Sequence, residues 1–121
     1  MHTVIETRSF ITATAEAGMT AEEVAAVISM IAADPEAGEM MVGTGGVRKV
    51  RFAGRGKGKS GGYRVVTYYA APDVPVFLLD CYKGDKANLS KAERNDLAGI
   101  LADIAAAYRA STAADAAKGR A

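Results

Sequence analysis

Between Met40 and Pro72 the chain carries Arg48, Lys49, Arg51, Arg55, Lys57, Lys59 and Arg64, with no Asp or Glu among them. The same stretch holds eight of the thirteen glycines, and Tyr63, Tyr68 and Tyr69 lie in it, with Tyr82 a little further on. Lysines and arginines gathered without carboxylates repel one another, a cost that an anion filling the patch would remove. A nucleic-acid phosphate backbone is the anion that best fits such a stretch, because neutralising it releases counterions and gives affinity without reading sequence. Glycine lets a sugar-phosphate chain approach closely, arginine grips phosphate through two parallel hydrogen bonds, and tyrosine can stack on an unpaired base. Taken singly, Tyr63, Tyr68 and Tyr69 read as core or cross-strand residues. The absence of acids over the whole stretch is what points to an anionic ligand.

Other chemistries find less support. Ala53 to Ser60 (AGRGKGKS) fits a relaxed phosphate-loop pattern, and VFLLD ending at Asp80 imitates its apolar strand and acid. A phosphate loop needs a helix opening at its Lys-Ser, so that helical amides and dipole meet the phosphates. Here Ser60 is followed by GGYRVVTYY, which reads as strand. Gly56 to Gly61 fits the dinucleotide fingerprint and fails for the same reason. A serine-histidine pair needs a central histidine, and His2, the only one, lies at an N-terminus expected to fray. Cys81 is the only cysteine, so an internal disulfide is impossible and a cysteine-ligated metal site is not expected. Its apolar surroundings suggest a packed, inert thiol. Asp80 and Asp85 read as strand-end and turn acids. Neither a metal nor a cofactor is implied.

The charge distribution is polarised. Residues 1–39 set Glu6, Glu16, Glu22, Glu23, Asp34, Glu36 and Glu39 against Arg8 alone, a net of −6. Residues 40–72 carry +7, and the remainder is balanced, giving the overall +1. One basic face is implied. With 121 residues, half of them hydrophobic, the chain is expected to form one domain over residues 1–110. The Ala-rich segment 111–121 has no large apolar residue and reads as a frayed tail. No apolar run approaches the roughly 20 residues of a membrane span, and no signal peptide is visible, so a cytoplasmic protein is expected.

The elements that must position the basic stretch follow from periodicity. Residues 2–8 read as a short strand and 9–17 as a weak helix stopped by Gly18. Thr20 and Glu23 form a capping box, Met19 and Val24 a hydrophobic staple, and Val24, Val27, Ile28 and Ile31 recur at helical spacing until Pro35. Residues 47–53 alternate, Val50 and Phe52 against Lys49 and Arg51. A glycine-rich hairpin loop, a second strand at 63–70, a turn at 72–75 and a more buried strand at 76–82 follow. Ser90 and Glu93 form another capping box, opening a helix with Leu97, Ile100, Leu101, Ile104 and Tyr108 on one face. The order β-α-α-β-β-β-α is α+β: an antiparallel sheet with helices packed on one face.

GTGGVRKVRFAGRGKGKSGGYRVVTYY followed by VFLLDCYKGDKANLSKAERNDL resembles the RelE/HigB-type toxins of type II toxin–antitoxin modules, most of all their HigB-like branch. The resemblance covers residues 43–97 and implies the RelE-like fold, which agrees with the order above. It also implies a ribosome-dependent mRNA endonuclease acting on A-site mRNA in the 70S ribosome and inhibiting translation. A cognate antitoxin, helix-turn-helix and HigA-like, would neutralise it. By motif position Arg64 matches the phosphate-clamping arginine. Lys49 and Arg51 fall where basic residues of the second strand lie, and Tyr82 and Lys83 where further basic or aromatic site residues lie. Some relatives use a C-terminal catalytic tyrosine; Tyr108 is the candidate by position, but its spacing on an apolar helix face suggests core.

The expected reaction is attack of an RNA 2′-hydroxyl on its own 3′-phosphate. Arg64 and Arg51 would stabilise the developing charge. Lysine is a group whose proton affinity neighbouring cations can lower, which makes Lys49 and Lys83 the candidates for proton transfer. Arg48, Arg55, Lys57 and Lys59 are expected to dock RNA and ribosome. Two other classes fit the same patch: a non-catalytic nucleic-acid-binding module, and a ParE-like gyrase inhibitor, which shares the fold without the nuclease.

Overall fold

The computed structural model describes residues 2–53, 62–83, 99 and 101–112. The expected α+β architecture is present. Strand β1 (Val4–Glu6) is followed by helices α1 (Arg8–Ala17) and α2 (Ala21–Ala33), then strands β2 (Glu39–Met40), β3 (Val47–Phe52), β4 (Tyr63–Tyr68) and β5 (Val76–Lys83). The chain is helical again over 101–112, designated α3.

Local chemistry sets the helix ends. Thr7 caps α1 by accepting from the Phe10 amide, and Gly18 ends it at φ 77°, a left-handed conformation that costs glycine little. The capping box predicted at α2 is formed in full: the Thr20 hydroxyl accepts from the Glu23 amide at 3.1 Å, and the Glu23 carboxylate accepts from the Thr20 amide at 3.0 Å. The second capping box, at Ser90 and Glu93, and residues 54–61 of the hairpin loop expected over 54–62 lie outside the described residues.

The five strands run in the order β1-β5-β4-β3-β2. Three details differ from the sequence reading. The short edge strand β2 was not expected, and it pairs with β3 through Glu39↔Lys49 and Met40↔Arg48. β1 joins the far edge parallel to β5, so the sheet is antiparallel except for that pair. Helices also cover both faces instead of one. Phe10, Val27 and Ile31 from α1 and α2 pack on Val50, Val65, Val76 and Leu78. Leu101 and Ala105 of α3 pack with Val47, Tyr68 and Phe77, whose side chains project from the opposite face because successive strand residues alternate. Burial at 101, 105 and 108 defines the inward stripe of α3, which leaves Ile104 40 % exposed although the sequence put it on the apolar face.

The glycines at the start of β3 serve the fold. Gly43, Gly45 and Gly46 all have positive φ, and Gly46, at 138°, lies so close to β4 that a Cβ would stand 2.5 Å from the Tyr69 carbonyl. Thr44 closes this turn, its hydroxyl donating to the Met41 carbonyl at 2.6 Å and accepting from the Val47 amide at 3.1 Å. The start of β3, and so the register of its basic residues, is thereby fixed.

Candidate nucleic-acid interface

Register brings the central candidates together. Arg51 pairs with Arg64 across β3 and β4, and Arg64 pairs with Tyr82 across β4 and β5. Directly opposed residues share a face of the sheet, so these three side chains form one transverse row. The next row on that face is Lys49, Val66 and Asp80, and the one after it begins the α3 core with Val47 and Tyr68. The expectation that Lys49 and Arg51 point away from Val50 and Phe52 is met, since Val50 lies in the α1/α2 core. Exposure rises along the first row, from Tyr82, only 9 % exposed, through half-buried Arg64 to exposed Arg51. Tyr82 is thus a packed wall of this face more than an open stacking platform.

The remaining candidates separate. Lys83 is exposed at the last position of β5, opposite Tyr63 and off the basic row. Arg48 is buried on the other face. Its guanidinium donates to the Tyr69 carbonyl at 3.3 Å and lies 5.9 Å from the centre of the Tyr69 ring, which makes it a brace between β3 and the end of β4. Arg55, Lys57 and Lys59 lie outside the described residues.

The tyrosines follow the structural reading: Tyr63 and Tyr68 are core residues, and Tyr69 packs edge-on to His2 at 5.0 Å between centroids. His2 itself does not hang free. Its Nε2 donates to the Val74 carbonyl at 2.8 Å, and its amide donates to the Ala32 carbonyl. Tyr108 meets Phe77 in a T-shaped contact at 6.5 Å, consistent with a core role.

α3 is clipped down near this face by Arg109, whose Nε and Nη2 donate to the two carboxylate oxygens of Asp73 at 2.6 and 2.9 Å. That hydrogen-bonded guanidinium holds the Asp73 carboxyl below its ordinary range. Burial raises the Tyr68 phenol, opposed by the positive charge of Arg109. Cys81 is buried with its Sγ 3.4 Å from the Met19 sulfur, and burial, helped by the negative charge of Asp80, pushes its thiol up to about 11. The inert packed thiol expected from sequence is what the fold contains.

β4 begins at Tyr63, three residues after Ser60, so the chain beyond the Lys-Ser pair is strand where a phosphate loop requires a helix. Among the described residues no three His, Cys, Asp or Glu side chains come together as a metal-binding group. Sequence reading missed one residue of the basic face. Asp80, set aside as a strand-end acid, stands in the row beside Arg64 and Tyr82.

The fold is an α+β sheet with packed helices, and one of its faces carries Lys49, Arg51 and Arg64. The chain belongs to the RelE toxin family of the RelE/RelB toxin–antitoxin system, whose family model matches residues 3–119. Among the described residues no helix is long and apolar enough to cross a membrane.

Proposed function

We propose that this chain is the toxin of a toxin–antitoxin pair that cleaves mRNA on the ribosome, in the manner of the HigB-like branch, and acts in the cytoplasm. The observation that carries the reading is the row Arg51–Arg64–Tyr82 on the sheet face turned away from α1 and α2. A phosphate seated there meets two guanidinium groups.

The reaction is internal transesterification. The 2′-oxygen loses its proton and bonds to phosphorus, the bond from phosphorus to the 5′-oxygen breaks, and the leaving 5′-oxygen takes up a proton. The products are a 2′,3′-cyclic phosphate and a free 5′-hydroxyl. Arg64 and Arg51 stabilise charge that develops on the phosphorane, each such donor contributing about 3–4 kcal/mol. Lys49, on the same face, supplies the proton to the leaving group, while Lys83, Arg55, Lys57 and Lys59 dock ribosomal RNA. Arg48 supports the fold in this scheme. The antitoxin blocks the cationic face, and steering by its acids makes capture sensitive to salt.

Induction in cells followed by mapping of mRNA 5′ ends tests this. New internal ends bearing 5′-hydroxyls are expected, confined to translated regions. Intact mRNA accompanied by DNA-damage signalling would assign the chain to gyrase inhibition instead, and intact mRNA without it to nucleic-acid binding alone.

A further inference from the structure

Strand β5 does not keep a single alternation. Val76 and Leu78 point into the α1/α2 core, and unbroken alternation would send Asp80 and Tyr82 the same way. The register shifts between Val66 and Thr67: Thr67 pairs with Leu78 and Val66 with Asp80, which leaves Leu79 as the extra residue of a bulge. Beyond the bulge Cys81 takes the core position against Met19, and Asp80 and Tyr82 turn to the cationic face. One inserted residue thus takes a carboxylate out of the apolar core and aims it at the face that carries Arg51 and Arg64. Asp80 is the only acid in β3, β4 and β5. Its Oδ1 accepts from the Cys81 amide at 2.8 Å, which fixes the carboxylate's orientation.

The positions suit an in-line displacement. Lys49 and Asp80 flank Val66 on neighbouring strands, so their Cα atoms are about 10 Å apart across the sheet. A phosphate lying over Val66 has Asp80 on one side and Lys49 on the other, with Arg64 and Arg51 in the adjoining row. We propose that Asp80 is the general base of the cleavage reaction. This rests on the ribonuclease reading above. As the 2′-oxygen to phosphorus bond forms, the 2′-hydroxyl proton passes to the Asp80 carboxylate. As the bond to the 5′-oxygen breaks, that oxygen takes a proton from the Lys49 ammonium, and the two residues later exchange protons with water to reset.

Acid and base can be separated by leaving group. A model mRNA with sulfur in place of the scissile 5′-oxygen leaves without protonation, so it removes the need for the acid but not for the base. In a ribosome-programmed cleavage assay, Asp80→Asn is expected to slow cleavage roughly 10²–10⁴-fold with oxygen and sulfur substrates alike. Lys49→Met is expected to lose a similar factor with oxygen and to recover with sulfur. Asp80→Glu should regain part of the rate, with ribosome binding unchanged in all three variants. Wild-type cleavage rates in Asp80→Asn, or its rescue by the sulfur leaving group, would overturn the assignment, as would a loss that merely follows ribosome binding. Wild-type protein that makes no cut on the programmed ribosome would instead remove the ribonuclease reading, and the assignment with it.

Discussion

Arg51→Gln should move stability and activity in opposite directions. Arg51 and Arg64 stand directly opposite one another on β3 and β4, and like charges so placed are unfavourable. For two charges about 6 Å apart, close to the spacing of directly opposed strand residues, the repulsion in a water-like dielectric is about 0.7 kcal/mol. Removing the exposed charge of Arg51 is therefore expected to raise the unfolding free energy by up to that amount, seen as a higher urea midpoint, and the gain should shrink as salt screens the pair. If the row holds a phosphate, the same substitution removes one donor to the developing charge and slows cleavage roughly 10²–10³-fold. Urea denaturation at low and high salt and single-turnover cleavage of ribosome-bound mRNA measure the two sides. Destabilisation by Arg51→Gln would refute the repulsion, and undiminished cleavage would refute its use.

Burial holds the Cys81 thiol protonated up to about 11, against an ordinary value near 9, so the unfolded chain gives up its proton first as pH rises. Stability from this group is fully present below pH 9 and is lost between 9 and about 11. A thiol reagent at pH 8 should accordingly modify only unfolded protein, which timed labelling in urea would show. Gly46→Ala, with φ at 138° and the Tyr69 carbonyl in the way, is expected to cost at least about 2 kcal/mol in urea denaturation. Gly45→Ala, strained at φ 71° but meeting no atom within 4 Å, should cost only about 1 kcal/mol. Asp73→Asn removes the charged partner of Arg109 and should speed amide exchange in 101–112 while β3 and β4 stay protected. In the wild type the same loosening should set in as pH falls through the lowered Asp73 titration, because the ionised carboxylate is the form that holds the arginine.

The elements legible in the sequence are those whose cause is local. Thr20 and Glu23 announce the start of α2, and the alternation of Lys49 and Arg51 with Val50 and Phe52 announces which face of β3 is cationic; both hold in the structure. What could not be read depends on partners distant in sequence. β2 is two residues long and exists only because Met40 and Glu39 meet β3, and β1 pairs in parallel because the chain returns beside it after seventy residues. The face taken by α3 depends on Phe77 and Tyr68, apolar residues on the side of the sheet that a two-layer reading left to solvent. Arg48 shows the limit for the site. Its type suits phosphate, yet strand parity turns it inward to Tyr69. Asp80 shows the converse, since only the bulge at Leu79 turns it outward. Val76, Phe77, Leu78 and Leu79 are apolar without a break, so the change of parity left no mark in the hydrophobic pattern.

The most direct test of the central claim is end-group analysis on purified ribosomes programmed with a defined mRNA whose A-site codon carries either ribose or a single 2′-deoxyribose at the cleaved position. Cleavage by a cationic face that activates the 2′-hydroxyl predicts a cyclic phosphate and a 5′-hydroxyl from the ribose strand, and an intact deoxy strand. A cut in the deoxy strand, or a 5′-phosphate end from either, would contradict it.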